Sequence, residues 1–142
     1  MKSTITTSQQ VKFSLAALLA VLAFGASAAE SKVTLTGAEE TPAVTTAATG
    51  SGTITVNADK TVSGSVTTQG LVGTAAHIHV GAPGKKGPPA ITLEKAGDGV
   101  WKVPAGSTFT DEQYASYQAG NLYINVHSAD NKGGEIRGQL KP

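Results

Sequence analysis

Short stretches in which polar and apolar residues alternate recur along most of the chain. Alternation with a period of two is typical of β-strands that bury one face. Gly, Pro, Asn and Asp separate the stretches, as tight turns require. The pattern predicts strands at residues 32–36, 53–56, 61–66, 76–80, 90–93, 99–103, 122–126 and 135–140.

Turn residues between these strands predict two hairpins. The strands at 53–56 and 61–66 flank the turn formers of 57–60, which is typical of a β-hairpin. A second pair, 90–93 and 99–103, lies on either side of glycines and is predicted to form another. Residues 37–49 lose the alternation and predict an irregular connection.

One short helix is predicted after Thr110. Thr110 and Gln113 have the spacing of a capping box, in which each side chain bonds the other residue's backbone, and Gly120 is placed to end the helix. Seven or eight short antiparallel strands with one short helix predict an all-β fold, a Greek-key β-sandwich or barrel.

Residues 1–28 have a different composition from the rest of the chain. Lys2 and Lys12 precede an apolar run that ends in small residues, which predicts a secretory signal peptide cleaved near Ala28. Residues 29–142 are then one mature domain, expected in the periplasm or outside the cell. The apolar run of the leader is too short and too Ala-rich for a membrane span, which requires ~20 apolar residues, and the mature domain has no such stretch, so no integral membrane segment is expected.

Charge and cysteine content narrow the possible partners. Removal of Lys2 and Lys12 leaves 9 Lys and Arg against 10 Asp and Glu, so no basic surface for nucleic acid is expected. The chain has no cysteine, which excludes disulfides and a cysteine-linked lipid anchor. Stability must therefore come from packing or from a bound ligand.

His77 and His79 fall on a predicted strand, and His127, the third histidine of the chain, directly follows another. Because strand side chains alternate between faces, His77 and His79 share the face opposite Ile78. The same alternation in residues 122–127 places His127 on the polar face of its strand. Two imidazoles at i and i+2 can reach one ion, and a third from a neighbouring strand would complete a site for copper or zinc. Alternation does not establish that the two strands are neighbours, so an ordinary polar surface is the competing interpretation.

Other polar residues near the histidines have two interpretations each. Asp130 and Glu135 could orient a histidine ring, or they could cap a turn and pair with Arg137. Asn125 could hydrogen-bond to the site, or it could pack across strands. The glycine- and proline-rich loop at 81–89 could guard the site or bind an anion through its lysines, or it could be a solvated turn.

No catalytic residue is predicted. The adjacent carboxylates Glu39 and Glu40 suggest hydrolysis, but neighbouring side chains on an extended chain point to opposite sides.

Four motifs span nearly all of the predicted mature chain: LTGAEETPAV at 35–44, AHIHVG at 76–81, NVHSADN at 125–131 and GGEIRGQ at 133–139. Together with the Pro-Gly and Gly-Pro pairs at 83–84 and 87–88, they resemble the CHRD (chordin-type) domain. In chordin the domain is part of an extracellular antagonist of growth factors, whereas bacterial members are mostly stand-alone exported domains. The resemblance therefore implies a fold more than a function.

The His-x-His strand and the later Val-His, followed by an Ala-Asp turn, also resemble the copper-ligand strands of Cu/Zn superoxide dismutase. This likeness implies copper rather than zinc at His77, His79 and His127. The dismutase also needs a bridging histidine and zinc ligands, and no histidine remains to supply them. Arg137 is too loosely placed to match that enzyme's guiding arginine.

We therefore expect an exported copper-binding module for storage, delivery or tolerance, with no reaction implied. The alternatives are a structural or interaction domain that binds an envelope or extracellular protein without a metal, and a copper oxidoreductase.

Overall fold

Nine antiparallel strands form one sheet in the computed structural model, which describes residues 27–142. The strands are β1 (Ala29–Thr36), β2 (Thr49–Val56), β3 (Val62–Gln69), β4 (Gly73–Val80), β5 (Pro89–Thr92), β6 (Glu94–Gly97), β7 (Val100–Lys102), β8 (Leu122–Ser128) and β9 (Ile136–Leu140). A 3₁₀ turn covers Gly37–Glu39, and one α-helix, α1, covers Asp111–Gln118. The signal peptide predicted at 1–28 lies, except for its last two residues, outside the described residues.

The sheet curls into a nearly closed barrel because one residue joins its two edges. The strand order is β5-β4-β8-β9-β1-β2-β3-β7-β6, so β5 and β6 lie at opposite ends, yet only Leu93 separates them in sequence. The Leu93 amide donates to the carbonyl of Ala76 on β4 at 2.9 Å. The next residue, Glu94, pairs with Lys102 of β7. The all-β prediction is confirmed.

Alternate residues of the strands fill the interior of this sheet. Ile78 of β4 and Ile124 of β8 are fully buried, as the alternation predicts. Trp101 and Tyr117, the latter from α1, complete the core. The Tyr117 hydroxyl lies 2.7 Å from Ser31 Oγ, which connects the helix to β1.

The predicted helix and first hairpin are confirmed. Thr110 Oγ1 accepts from the Gln113 amide and Gln113 Oε1 accepts from the Thr110 amide, so both halves of the capping box are present. Gly120 follows the helix with φ of 74°, a conformation that favours glycine. Strands β2 and β3 pair from Val56 opposite Val62 onward.

The second predicted hairpin is wrong. Strand β5 pairs with β4, and the hairpin partner of β7 is β6. All four residues of β6 are exposed, so this edge strand has no apolar alternation from which it could be predicted. It brings the strand count to nine, one more than the upper prediction.

We expect Ile78→Ala to lower the free energy of unfolding by about 2–5 kcal/mol, because it leaves a cavity in the core between β4 and β8. Val72→Ala is the matched control, since Val72 is 82% exposed, and its effect should stay within about 0.5 kcal/mol. Urea denaturation of the two variants measures both values. Equal losses would contradict the placement of Ile78 in the core.

Candidate metal site

The pairing of β4 with β8 brings the three histidines together. Across this antiparallel pair, Ala75 lies opposite His127, His77 opposite Asn125, and His79 opposite Tyr123. Since alternate residues share a face, these six residues lie on the side of the sheet away from the core. The two histidine strands are therefore neighbours, which the sequence alone left undecided.

The histidine side chains approach each other closely enough to share an ion. Each offers one ring nitrogen, and the three nitrogens lie within 4.8 Å of one another. The closest pair is His77 Nδ1 and His127 Nε2, at 3.1 Å. Zinc–nitrogen distances of 2.0–2.1 Å separate the ligands of a tetrahedral site by about 3.3 Å. His77 Nδ1 and His127 Nε2 are thus already about as far apart as two ligands of one ion, whereas the three nitrogens together spread up to 4.8 Å.

Backbone carbonyls fix the tautomers of two rings. His79 Nδ1 lies 2.9 Å from the carbonyl oxygen of Gly87, and His127 Nδ1 lies 2.8 Å from that of Lys132. A carbonyl oxygen only accepts, so each Nδ1 carries the proton and donates it. In the neutral rings Nε2 is then the nitrogen with the lone pair, the arrangement found in metal-binding histidines. In the metal-free protein His127 Nε2 accepts a hydrogen bond from His77 Nδ1, which an ion would replace.

Burial favours the uncharged form of two of these rings. Desolvation, followed by the neighbouring His127 and His79, lowers the pKa of His77. Desolvation is also the largest cause of the lowered pKa of His79, and it outweighs the opposing hydrogen bond to Gly87. Neutral imidazole is the form that binds metals, so the fold prepares these side chains for that role.

A stack of side chains supports His79 from behind. Its ring lies parallel to that of Tyr123, with centroids 4.9 Å apart and 3° between the planes. The guanidinium carbon of Arg137 lies 3.5 Å from the Tyr123 ring centroid. Strands β4 and β9 flank β8, so three neighbouring strands contribute one residue each to the stack.

Arg137 also holds the glycine- and proline-rich loop against the sheet. It is 1% exposed and donates to the carbonyls of Lys85 and Ala82 at 2.8 and 3.0 Å. The same loop supplies the Gly87 carbonyl to His79. Both lysines of the loop are exposed, as in a solvated turn, but its backbone carbonyls bond His79 and Arg137, so the loop also forms part of the site's frame.

The predicted ion pair between Glu135 and Arg137 is wrong. Glu135 Oε1 instead accepts from Thr46 Oγ1 at 2.7 Å. Hydrogen bonds from Ser128 and Thr46 lower the Glu135 pKa. The histidine-orienting role considered for Asp130 and Glu135 falls to backbone carbonyls, which a pattern of side chains cannot indicate.

Glu40 was not predicted to belong to this region. It is 7% exposed, whereas its neighbour Glu39 is exposed, so the two carboxylates do point apart. Glu40 Oε1 has no hydrogen-bond partner. Burial raises the pKa of Glu40, although the Thr41 amide and the Asn125 side chain oppose the shift. The burial of Glu40 has no signal in the sequence, because residues 37–49 lack the alternation that predicts which side chains are buried.

The fold and site together define an all-β domain with a three-histidine cluster on the polar face of its sheet. The CHRD domain profile matches residues 31–140, and the chain belongs to the CHRD domain family. Comparison with curated proteins and with solved structures found no match. Among residues 27–142, no helix has the length and apolar character needed to cross a membrane.

We expect Glu40→Gln to raise the melting temperature of the metal-free protein at pH 7. The folded-state pKa of Glu40 is raised above 4.5, so its stabilising contribution is complete below that pH and is lost as the pH rises through the folded pKa. Glutamine carries no charge, so the variant does not bury an ionised carboxylate at pH 7. Its advantage over wild type should disappear below pH 4.5.

Glu39→Gln is the matched control, because it removes the same charge from an exposed neighbour. Thermal denaturation from pH 4 to pH 8 compares the three proteins. Equal pH profiles for the two variants would show that burial of Glu40 has no such effect.

Proposed function

We propose that this protein is an exported metal-binding module in which His77, His79 and His127 hold one copper ion. Storage, delivery or tolerance of copper is the corresponding role. The proposal assigns the histidines as ligands and no residue as a catalyst.

One observation carries the proposal: three ring nitrogens converge while the remaining nitrogens of two rings are bound to backbone carbonyls. With both tautomers fixed, Nε2 of His79 and Nε2 of His127 are the acceptor nitrogens that can bind an ion. Imidazole ligands suit both copper and zinc. Among divalent first-row ions, copper binds most strongly to a given set of nitrogen ligands, which favours copper over zinc.

The absence of carboxylates from the ligand set argues against magnesium and calcium as the bound ion. Aspartate and glutamate were available to the fold, yet only the three imidazoles cluster within 4.8 Å in the described residues. Magnesium and calcium prefer oxygen ligands, so this set is poorly suited to them.

Titration of the purified metal-free protein with Cu(I), Cu(II) and Zn(II) tests the site. We expect one ion per chain, with copper bound more tightly than zinc. His79→Ala should weaken copper binding by more than about 100-fold, because loss of a ligand costs more than loss of an outer hydrogen-bond partner, which costs about 10- to 100-fold. Competition with chromophoric chelators measures the affinities.

Thr67→Ala, an exposed change on β3, is the control and should bind as wild type does. Weak binding that is equal in wild type and His79→Ala would refute the site. That result would favour the alternative of an interaction domain without a metal.

Export is tested separately. Expression of the full chain in a bacterial host should place the protein in the periplasmic or extracellular fraction. N-terminal sequencing should then find Ala29 as the first residue, because cleavage is expected after Ala28. Recovery of the uncleaved chain from the cytoplasm would contradict this part of the proposal.

A further inference from the structure

Three buried acceptor atoms without hydrogen bonds lie beside the histidine cluster. They are His79 Nε2, Asn125 Oδ1 and Glu40 Oε1, and only Trp101 Nε1 joins them in lacking a partner among the buried side-chain atoms of the described residues. Buried polar atoms are nearly always paired, since leaving one unpaired costs free energy. Two of these atoms, His79 Nε2 and Asn125 Oδ1, belong to diagonal neighbours on one face of β4 and β8, which indicates that something beyond the polypeptide satisfies them.

Asn125 occupies the centre of the cluster. It lies directly opposite His77 across β4 and β8, and it lies two residues before His127 on the same face of β8. His79 is its diagonal neighbour, a position within reach of a long side chain. The side chain of Asn125 is therefore adjacent to all three histidines, and the residue is 3% exposed.

The amide nitrogen of Asn125 is directed away from the histidines. It donates to the Gly133 carbonyl at 3.5 Å. A Cβ atom placed on Gly134 would lie 2.6 Å from Asn125 Nδ2 and 2.2 Å from Glu40 Oε1, so the amide nitrogen and the carboxylate approach the same point. Gly134 has φ of 121° and no side chain, which leaves room for this approach.

With its nitrogen on the Glu40 side, the amide presents Oδ1 to the histidines. The neutral ring of His79 already donates through Nδ1, so its Nε2 is an acceptor as well. Two facing acceptors cannot bond each other, but a cation between them satisfies both.

We propose that Asn125 Oδ1 is a fourth ligand of the ion held by His77, His79 and His127, and that Glu40 is the positioning residue that orients the amide. This inference rests on the proposed metal-binding function and adds an oxygen ligand to it. Hard oxygen donors favour divalent ions and contribute little to Cu(I). Asn125 therefore determines the preference for Cu(II) and Zn(II) over Cu(I).

Asn125→Leu removes the oxygen at similar size. We expect it to weaken Cu(II) and Zn(II) binding by about tenfold or more, and to change Cu(I) binding by less than about threefold. Asn125→Asp keeps an oxygen and should retain Cu(II) binding. The electron paramagnetic resonance spectrum of bound Cu(II) should change in the leucine variant, because one ligand is replaced.

Glu40 is tested with two substitutions. Glu40→Gln keeps an acceptor for the amide, whereas Glu40→Leu removes it. We expect the leucine variant to reproduce the selective loss of Cu(II) binding and the glutamine variant to restore most of it. A purely structural role would instead alter Cu(I) and Cu(II) binding equally in Glu40→Leu.

The outcomes separate this inference from the proposed function. Histidine-dependent binding with an unchanged Cu(II) affinity and spectrum in Asn125→Leu would overturn the fourth ligand and leave the copper module intact. Failure of wild type to bind any ion would overturn both. If the variants do not fold, a crystal structure of the zinc-loaded wild type decides, because a ligand oxygen must lie about 2.0–2.2 Å from the ion.

Discussion

The antiparallel pairing of β4 with β8 is the constraint on which the rest of the structure depends. Its register places Ile78 opposite Ile124 in the core and, on the other face, His77 opposite Asn125. A slip of one residue would reverse both faces at once, burying imidazoles among aliphatic side chains. The hydrophobic core and the histidine cluster therefore specify the same register. Residue Leu93, which joins β4 to the far edge of the sheet, keeps this pair within a nearly closed barrel.

Sequence pattern predicted the features that depend on neighbouring residues along the chain. Alternation assigned His77 and His79 to one face, and the spacing of Thr110 and Gln113 predicted a helix start that the structure contains. Features that depend on distant segments were out of reach. The exposed strand β6 has no apolar residues in alternation, and the Gly87 and Lys132 carbonyls that orient the rings belong to the backbone, which carries no sequence signal.

The polar face of this sheet is unusual because loops bury much of it. Arg137 and Asn125 are 1% and 3% exposed, although alternation alone predicts an outer surface there. The guanidinium finds carbonyl partners in the loop at 81–89, whereas Glu40 and Asn125 each retain an unpaired oxygen. Burial of such unpaired groups opposes folding, and the proposed ion would offset this cost by bonding the Asn125 oxygen.

The number of ligands also bears on the choice between binding and catalysis. Catalytic metal sites keep a coordination position for water or substrate, while structural and binding sites fill it with protein atoms. Three histidines alone would leave one tetrahedral position free, which suits an oxidoreductase. The proposed fourth ligand, the Asn125 oxygen oriented by Glu40, would fill that position instead. A completed shell of four protein ligands retains its ion without reacting at it, which is the behaviour expected of a protein that stores or carries copper.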